Sequence, residues 1–312
     1  MTSQEPEHYV LLAGGANLDV LGFSAAPLIP RDSNPGRIRF GAGGVIRNVA
    51  ENLSLLGIRT ELITATGSGT DGEFIRNHCI SAGIGIRHSI TLKEDISSTY
   101  IAMMDSDGDM ALALSDMSTT DHITPEYLRS KKNVIAGAGI IAADTNLSFE
   151  SLEYLATGFP GSRLCIDPVS VAKALKLRPL LGNIHTLKMN RLEAESITGF
   201  PLNSRKEIRR AGDFFREKGT RRIFITSGKG GVYWADQKGE GFHIPPAVTL
   251  INATGAGDAF TAGVVFSTLQ NFTIHETLKF SSALAGLTIA GEEAVNGETS
   301  LERIRGILAK QH

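Results

Sequence analysis

The stretch Asn252-Ala253-Thr254-Gly255-Ala256-Gly257-Asp258-Ala259-Phe260 concentrates residues that could do chemistry. Gly255 and Gly257 remove side chains where backbone could approach a ligand, and the apolar run from Ala259 to Leu269 predicts a buried helix. A glycine turn that opens a helix aims unpaired N–H groups, and the positive end of the helix dipole, at one place. Phosphate binds readily there. Asp258 falls in the first turn of that helix. A carboxylate beside an anion cradle repels phosphate, yet it is well suited to accept the proton of a hydroxyl that attacks phosphorus. Taken alone, the same residues also fit an ordinary turn in which Asp258 stabilises the helix start.

Other polar residues fall where ligands gather in parallel α/β sheets, at the carboxyl ends of strands. Tyr9 to Gly15 reads as a buried strand followed by Asn17 and Asp19, which share a face if the strand continues and could grip neighbouring hydroxyls. An Asx turn is the alternative there. Gly139 to Asp144 and Arg163 to Asp167 read as strands that end in Asp144 and Asp167, two further candidates for the substrate site. Gly41-Ala42-Gly43-Gly44 opens a second helix, because Val45, Val49, Leu53 and Leu56 recur at helical spacing and Gly57 stops it. Asn48 lies one turn into that helix, where an amide can both donate to and accept from a sugar hydroxyl.

These residues must be positioned by alternating elements. Thr60 to Thr66 predicts a strand, Asp71 to Ala82 a helix and Phe149 to Thr157 another. Strands follow at His185 to Met189 and at Arg222 to Thr226, the latter running into Ser227-Gly228-Lys229-Gly230-Gly231 and a hairpin through Tyr233 and Trp234. This succession predicts an α/β fold: a three-layer, doubly wound, mostly parallel sheet in a single domain over 1–312. The segment Ala25 to Arg39 reads as irregular, with a strong turn signal at Asp32-Ser33-Asn34-Pro35-Gly36. Ser98 to Met104 and Met110 to Leu114 alternate around Asp105-Ser106-Asp107-Gly108 and predict a hairpin. With no helix between its strands, that hairpin belongs to a small β lid built from about 18–40 and 87–114, which could cover the site, pair with a second copy, or both.

A formal net charge of -2 gives no electrostatic reason to expect nucleic acid or an anionic membrane as partner. Cys79 and Cys165 lie far apart, so neither a disulfide nor a zinc framework is indicated. The polar start Met-Thr-Ser-Gln-Glu-Pro-Glu is no signal peptide. The apolar run Val134 to Ala143 is well short of the ~20 residues that span a bilayer. A soluble, cytoplasmic protein is expected.

Taken together, the motifs resemble those of a known family. Gly41-Ala42-Gly43-Gly44 with Asn48 and Ala50 is similar to the N-terminal signature of the ribokinase-like (PfkB) carbohydrate kinases, and Thr254-Gly255-Ala256-Gly257-Asp258 to their C-terminal one. Asn190-Arg191-Leu192-Glu193 resembles that family's N-x-x-E motif, and Thr226-Ser227-Gly228-Lys229-Gly230-Gly231 its nucleotide-binding glycine segment. The motifs arrive in the family's order along almost the whole chain. A narrower resemblance, to the bacterial pseudouridine kinases within that family, rests on Gly15 to Asp19, Asp32-Ser33-Asn34-Pro35-Gly36-Arg37-Ile38, Ser98-Thr99-Tyr100 and His185 to Glu195.

The resemblance implies transfer of the γ-phosphoryl group of ATP to the 5′-hydroxyl of pseudouridine, with Asp258 as base and the N–H groups of Gly255, Ala256 and Gly257 as anion hole. Asn17, Asp19, Gly43, Gly44 and Asn48 would fix the ribose, and Asn190 and Glu193 would act near the phosphates and Mg²⁺, Glu193 through water. Thr226, Gly228 and Gly230 would line the nucleotide groove, with Val295 and Asn296 at the adenine. Ser33, Asn34 and Thr99, on the lid, are candidates for reading the extra ring N–H of a carbon-linked uracil. A homodimer through the lid is the family expectation. Asn252 departs from the family, which commonly carries Asp there to shape a monovalent-cation site, with Thr254 nearby; loss of that charge puts potassium activation in doubt. Three alternatives stay open: a kinase of another nucleoside or of ribose, a non-catalytic regulator that binds nucleotide or sugar, and a structural oligomer.

Overall fold

A computed structural model describes residues 9–93, 96–249 and 251–310; the polar start read above, Met1 to Glu7, lies outside them. The strands, in chain order, are β1 (Val10–Ala13), β2 (Asn17–Ser24), β3 (Gly36–Gly43), β4 (Thr60–Ile63), β5 (Ala65–Thr66), β6 (Ile90–Thr91) and β7 (Thr99–Met104). They continue with β8 (Met110–Asp116), β9 (Ile140–Asp144), β10 (Leu164–Asp167), β11 (Thr186–Asn190), β12 (Arg222–Thr226), β13 (Val232–Ala235) and β14 (Glu240–His243).

Eight strands form the central sheet in the order β14-β13-β12-β11-β10-β9-β1-β4. Six of them, β12 through β4, run parallel, and β13 and β14 add an antiparallel edge. Parallel strands covered on both faces read as continuous apolar runs. Val10-Leu11-Leu12-Ala13 and Ile140-Ile141-Ala142-Ala143 are therefore buried throughout and feed both cores in alternation. Leu11 and Ile141 pack with Leu152, Ile197 and Phe215 from helices Phe149–Thr157, Arg191–Thr198 and Arg205–Glu217. Val10 and Leu12 pack on the opposite face with Val49, Val265 and Leu284 from helices Val45–Leu55, Ala256–Leu269 and Ile274–Ile289. These are the three layers that strand–helix alternation predicts.

Helix Ala256–Leu269 is the best-anchored element. Every residue from Ala259 to Thr268 is buried, as expected of a helix apolar on all sides. Gly263 lets it approach its neighbour so closely that a Cβ there would lie 2.6 Å from Ser281 Cα. Phe266 and Phe280 stack at 4.6 Å between the same two helices. The turn ahead of this helix is therefore held on a rigid support.

A second sheet, β3-β2-β7-β8, forms the β layer expected beside the main one. Its boundaries differ from the expectation. The segment read as irregular ends at Gly36, where β3 begins and pairs antiparallel with β2 along its whole length. The run Thr60 to Thr66 is interrupted at Thr64, and β5 turns away from the main sheet to pair with β6, so residues 90–91 lie outside the second sheet. Cys79 and Cys165 are both free and buried, and burial pushes the Cys79 thiol up to about 11. No helix among the described residues is long and apolar enough to cross a membrane.

Candidate active site

Asp258 sits at the third position of helix Ala256–Leu269. Gly255, before it, takes the left-handed conformation (φ 79°), and a Cβ there would lie 1.8 Å from the carbonyl oxygen of Ala294. Only glycine fits, both for the backbone angle and for the space. The N–H groups of the first turn have no helical acceptor by geometry; Ala256 makes only a long bond, 3.5 Å, to Ala253 O, so this turn can face an anion. Asp258 Oδ2 accepts a 2.7 Å hydrogen bond from Asn48 Nδ2, although the two residues are 210 apart in sequence. Asp258 is half-buried. That burial, and then the charge of Asp167, push it up to about 7, against the pull of Asn48, Lys188 and Arg47. A carboxyl poised there is matched to proton abstraction near neutrality.

Asn48 is itself oriented. Arg47, buried beneath it, donates to Asn48 Oδ1 and, at 2.6 Å, to Glu51 Oε2. With its oxygen taken, the amide must turn its NH₂ toward Asp258. The helix that carries Asn48 starts after Gly44, which has φ 106° and sits where a Cβ would meet the Gly15 carbonyl oxygen at 2.3 Å. Arg47 carries no signal of this role in the sequence, because an arginine on an amphipathic helix reads as a solvated charge.

Asn17 and Asp19 occupy alternate positions of β2, and Asn17 Nδ2 donates to Asp19 Oδ1 at 2.6 Å. Register places Asn17 opposite Gly43, whose absent Cβ would lie 2.3 Å from the Asp19 carboxylate. Burial raises the Asp19 carboxyl above its ordinary value, opposed by the bond from Asn17 and the charge of Arg47. Gly41 and Tyr100 lie opposite Asp19 in the neighbouring strands, and Asp19 holds Tyr100 up after burial does. Thr99 pairs instead with Leu18, on the other face, and its hydroxyl donates to Ser97 O at 3.1 Å. Tyr100, one residue on, is thus the side chain that shares the face of Asn17 and Asp19.

Lys188 is a candidate functional residue that the motifs alone do not single out. It is buried in β11 and donates to Asp167 Oδ2 at 3.0 Å, while Thr261 donates to the same oxygen at 2.8 Å. A Cβ on Gly257 would lie 3.0 Å from Lys188 Nζ, so the ammonium borders the open first turn of the Asp258 helix. Burial opposes its charge, but Asp167, Glu193 and Asp258 outweigh that and hold it above an ordinary lysine. A signal is present in the sequence: a lysine within the buried strand Thr186–Asn190 needs a partner to remain charged.

Asp144 and Asp167 are engaged by the chain itself, which departs from their expected place as direct substrate contacts. Asp144 is fully buried and accepts from the backbone N–H groups of Gly15 (3.2 Å), Ile46 (3.4 Å) and Asn146 (2.9 Å), and from Asn146 Nδ2 (3.0 Å). Burial pushes it up to about 6. It ties the turn after β1 to the start of the Asn48 helix, whereas Asp167 fixes Lys188 and Thr261.

Asn190 and Glu193 form a capping box: Glu193 N–H donates to Asn190 Oδ1 (2.9 Å) and Asn190 N–H to Glu193 Oε2 (2.8 Å). The pair stands at the carboxyl end of β11, and Glu193 is buried, which raises its carboxyl, as does Asp167. Thr226 ends β12, and Gly228 and Gly230 make a short turn beyond it. Val295 is buried, Asn296 Nδ2 donates to Leu287 O at 2.8 Å, and the close approach of Ala294 to Gly255 brings this segment against the Asp258 turn. Asn252 accepts from Thr254 N–H (2.9 Å) and donates to Glu292 O (2.8 Å). Asn34 closes its own loop, exchanging bonds with Ile29 N–H (2.8 Å) and Ile29 O (3.0 Å); Ser33 beside it is exposed. Neither is hydrogen-bonded to Asp19 or Asp258.

No group of three or more His, Cys, Asp or Glu side chains among the described residues could hold a metal by itself. Mg²⁺ keeps several waters and enters on phosphates with one or two carboxylates in support. Glu193, with one oxygen fixed by the capping box, is a carboxylate that could support such an ion.

The sequence profile of the pfkB family of carbohydrate kinases matches residues 7–300. The chain is 35% identical over 297 residues to the pseudouridine kinase of Escherichia coli (strain K12), with 95% of each chain covered. It is 31% identical over 303 residues to the uncharacterized sugar kinase YeiI of the same organism, covering 97% of this chain and 83% of that one. Arabidopsis thaliana ribokinase, solved with ribose and ATP, shares the fold at a TM-score of 0.87 and 19% identity, over 96% of this chain and 98% of that one. With both glycine-opened helices and a mostly parallel, ribokinase-like sheet in place, the protein belongs to the pfkB family of carbohydrate kinases.

Proposed function

We propose that the protein transfers the γ-phosphoryl group of ATP to the ribose 5′-hydroxyl of pseudouridine, giving ADP and pseudouridine 5′-phosphate. The observation that carries kinase chemistry is the position of Asp258: a carboxyl tuned to about 7, at the open start of a helix, with Lys188 on its border. In the step, the hydroxyl proton passes to an Asp258 oxygen. The new bond joins O5′ to the γ-phosphorus, and the bond from that phosphorus to the β,γ-bridging oxygen breaks. The first-turn N–H groups of Gly255, Ala256 and Gly257 and the Lys188 ammonium face the charge that develops on the transferred group. Asn17 and Asp19 hold ribose hydroxyls, Asn48 keeps Asp258 aimed, and Tyr100 walls the same face. Asn190, Thr226, Gly228 and Gly230 border the ATP groove, with Val295 and Asn296 toward the adenine. Mg²⁺ bound with ATP would supply charge neutralisation at the phosphates, and Glu193 would be the residue that holds it, through water.

Pseudouridine as acceptor is supported by the whole-length likeness to the E. coli enzyme and by the Asp32-Ser33-Asn34-Pro35-Gly36 loop. Asn34 acts there by shaping the loop, which presents the exposed Ser33 hydroxyl to the uracil. The test is product analysis: ³¹P NMR of the reaction with ATP and pseudouridine, expected to show a monoester coupled to the two 5′ protons. Turnover of ribose alone would keep the kinase and discard the nucleoside, and no turnover of any acceptor would favour a regulator.

We also propose that two copies pair through the second sheet. Register aligns Phe40, Val20, Ile101 and Leu114 in one row and Ile38, Gly22, Met103 and Leu112 in the next, all on the face away from Asp19. Phe40 is 65% exposed and Leu114 69%, and together these rows make a contiguous apolar patch that a monomer rarely leaves bare. A flat, row-matched apolar face suits a second copy of itself across a two-fold axis. The same sheet then closes over the substrate from its polar face.

A further inference from the structure

Arg163, His185 and Arg222 stand at the amino ends of β10, β11 and β12, whose carboxyl ends carry Asp167, Asn190 and Thr226. There they line a cleft of ≈ 580 Å³, at the opposite end of the sheet from Asp258, together with Trp234, Lys238 and His275. Asp236 is the acidic side chain that lines it, and Glu276, next in sequence to His275, is tied to Thr273 N–H at 2.8 Å. The protein as a whole is slightly acidic, so this local excess of cations does not follow from composition.

The two arginines are positioned by neutral groups. Arg222 donates to the hydroxyls of Thr268 (2.9 Å) and Thr277 (3.0 Å), and Arg163 to Thr268 O (2.6 Å), Asn271 Oδ1 (3.2 Å) and Gly139 O (3.2 Å). These bonds fix the guanidinium planes and use part of their donors, and they cancel no charge. Among the described residues, none of Arg163, Arg222 and Lys238 has a carboxylate within 4.0 Å. His185 reports the resulting field: burial, and then Arg222, Arg221 and Arg163, push it down to about 4. Asp236, the carboxylate that lines the cleft, offsets part of the charge on Arg222 without bridging it; crowding the remaining like charges costs stability, and an oxyanion that accepts from planar guanidinium forks removes that cost.

We propose that this cleft binds a small phosphate-bearing anion, gripped by Arg163, Arg222 and Lys238 and flanked by the rings of Trp234 and His275. The two rings meet edge to face at 5.4 Å and would border such a ligand on one side. The site is separate from the one that takes ATP.

Trp234 is the only tryptophan in the chain, so its fluorescence reads the cleft directly. The experiment titrates the full-length protein with inorganic phosphate, and separately with glycerol 2-phosphate, at ionic strength held constant with chloride. A saturable change is expected for at least one of the two, and which one distinguishes free phosphate from a phosphate ester. The midpoint should rise about tenfold in Arg222→Gln and at least about threefold in Lys238→Gln, as expected for loss of one charge-assisted bond. Lys238→Gln leaves the Thr268 and Thr277 clamps in place, so it carries the test if Arg222→Gln does not fold. Lys188→Met, which alters the active-site cradle, should leave the midpoint unchanged. No saturable change beyond the chloride control, or an equal midpoint in Lys238→Gln, would overturn the proposal.

Discussion

Asn48 Nδ2 lies 2.7 Å from Asp258 Oδ2 and joins the two glycine-opened helices across the site. The bond favours the ionised carboxyl, in opposition to burial and Asp167. Asn48→Ala should therefore raise the pKa that governs the acid limb of kcat/KM, moving the limb to higher pH by up to about one unit. The rate falls as pH drops through that pKa, because the base must be ionised. A pH profile of both proteins checks this, and an unmoved limb would show that the bond does not tune the base.

The raised Asp258 carboxyl also has a stability signature. Folding raises it from an ordinary value near 4 to about 7, so the native state holds a proton that the unfolded chain has lost. Its contribution thus turns against the fold as pH rises from about 4 to about 7 and stays unfavourable above. Asp258→Asn keeps an acceptor for Asn48 and removes the penalty. Its Tm should exceed wild type at pH 8, by a margin that shrinks toward pH 4.

Lys188 and Asp167 are expected to separate stability from catalysis. Lys188→Met leaves Asp167 as an uncompensated buried charge and should cost about 3–5 kcal/mol. Adding Asp167→Asn removes that charge and should recover most of the loss in a denaturant titration. The double variant should remain slow, with kcat reduced about 10²-fold or more, because nothing replaces the ammonium beside the anion hole. Recovery of both together would make the pair purely structural.

Asn252 commits its amide nitrogen to Glu292 O and its oxygen to Thr254 N–H, and it carries no charge for a cation. Rates should be the same in K⁺ and in a bulky monovalent cation at fixed ionic strength. Asn252→Asp should introduce a dependence on K⁺. A severalfold rise with K⁺ in wild type would contradict this reading.

The apolar rows of the second sheet predict a dimer that a single charge disrupts. Leu112→Lys, on an exposed position of β8, should shift sedimentation from dimer to monomer with the fold intact by circular dichroism. A wild-type monomer at micromolar concentration would remove the pairing.

How much of the fold and the site is legible in the sequence follows from what each residue signals locally. Gly44 and Gly255 are legible because a positive φ and a backbone neighbour closer than 2.5 Å exclude every other residue. The buried parallel strands are legible as apolar runs of the right length. Thr99 and Tyr100 are not, because a one-residue change of register exchanges the two faces of β7, and only the pairing with β2 fixes it. Asp144 and Asp167 sit where ligands gather, and the sequence carries no mark that Gly15, Ile46, Lys188 and Thr261 would reach them first. The Asn190–Glu193 spacing fits a capping box as well as a phosphate motif. The basic cleft is invisible in the sequence, since Arg163, His185 and Arg222 converge from three strands.

The central claim is tested most directly by kcat/KM for pseudouridine, uridine and ribose with ATP, for wild type and Asp258→Ala side by side. The account predicts a clear preference for pseudouridine in wild type and a ~10²–10⁴-fold loss of kcat in the variant, as for removal of a general base. Wild-type turnover that survives intact in Asp258→Ala would contradict it.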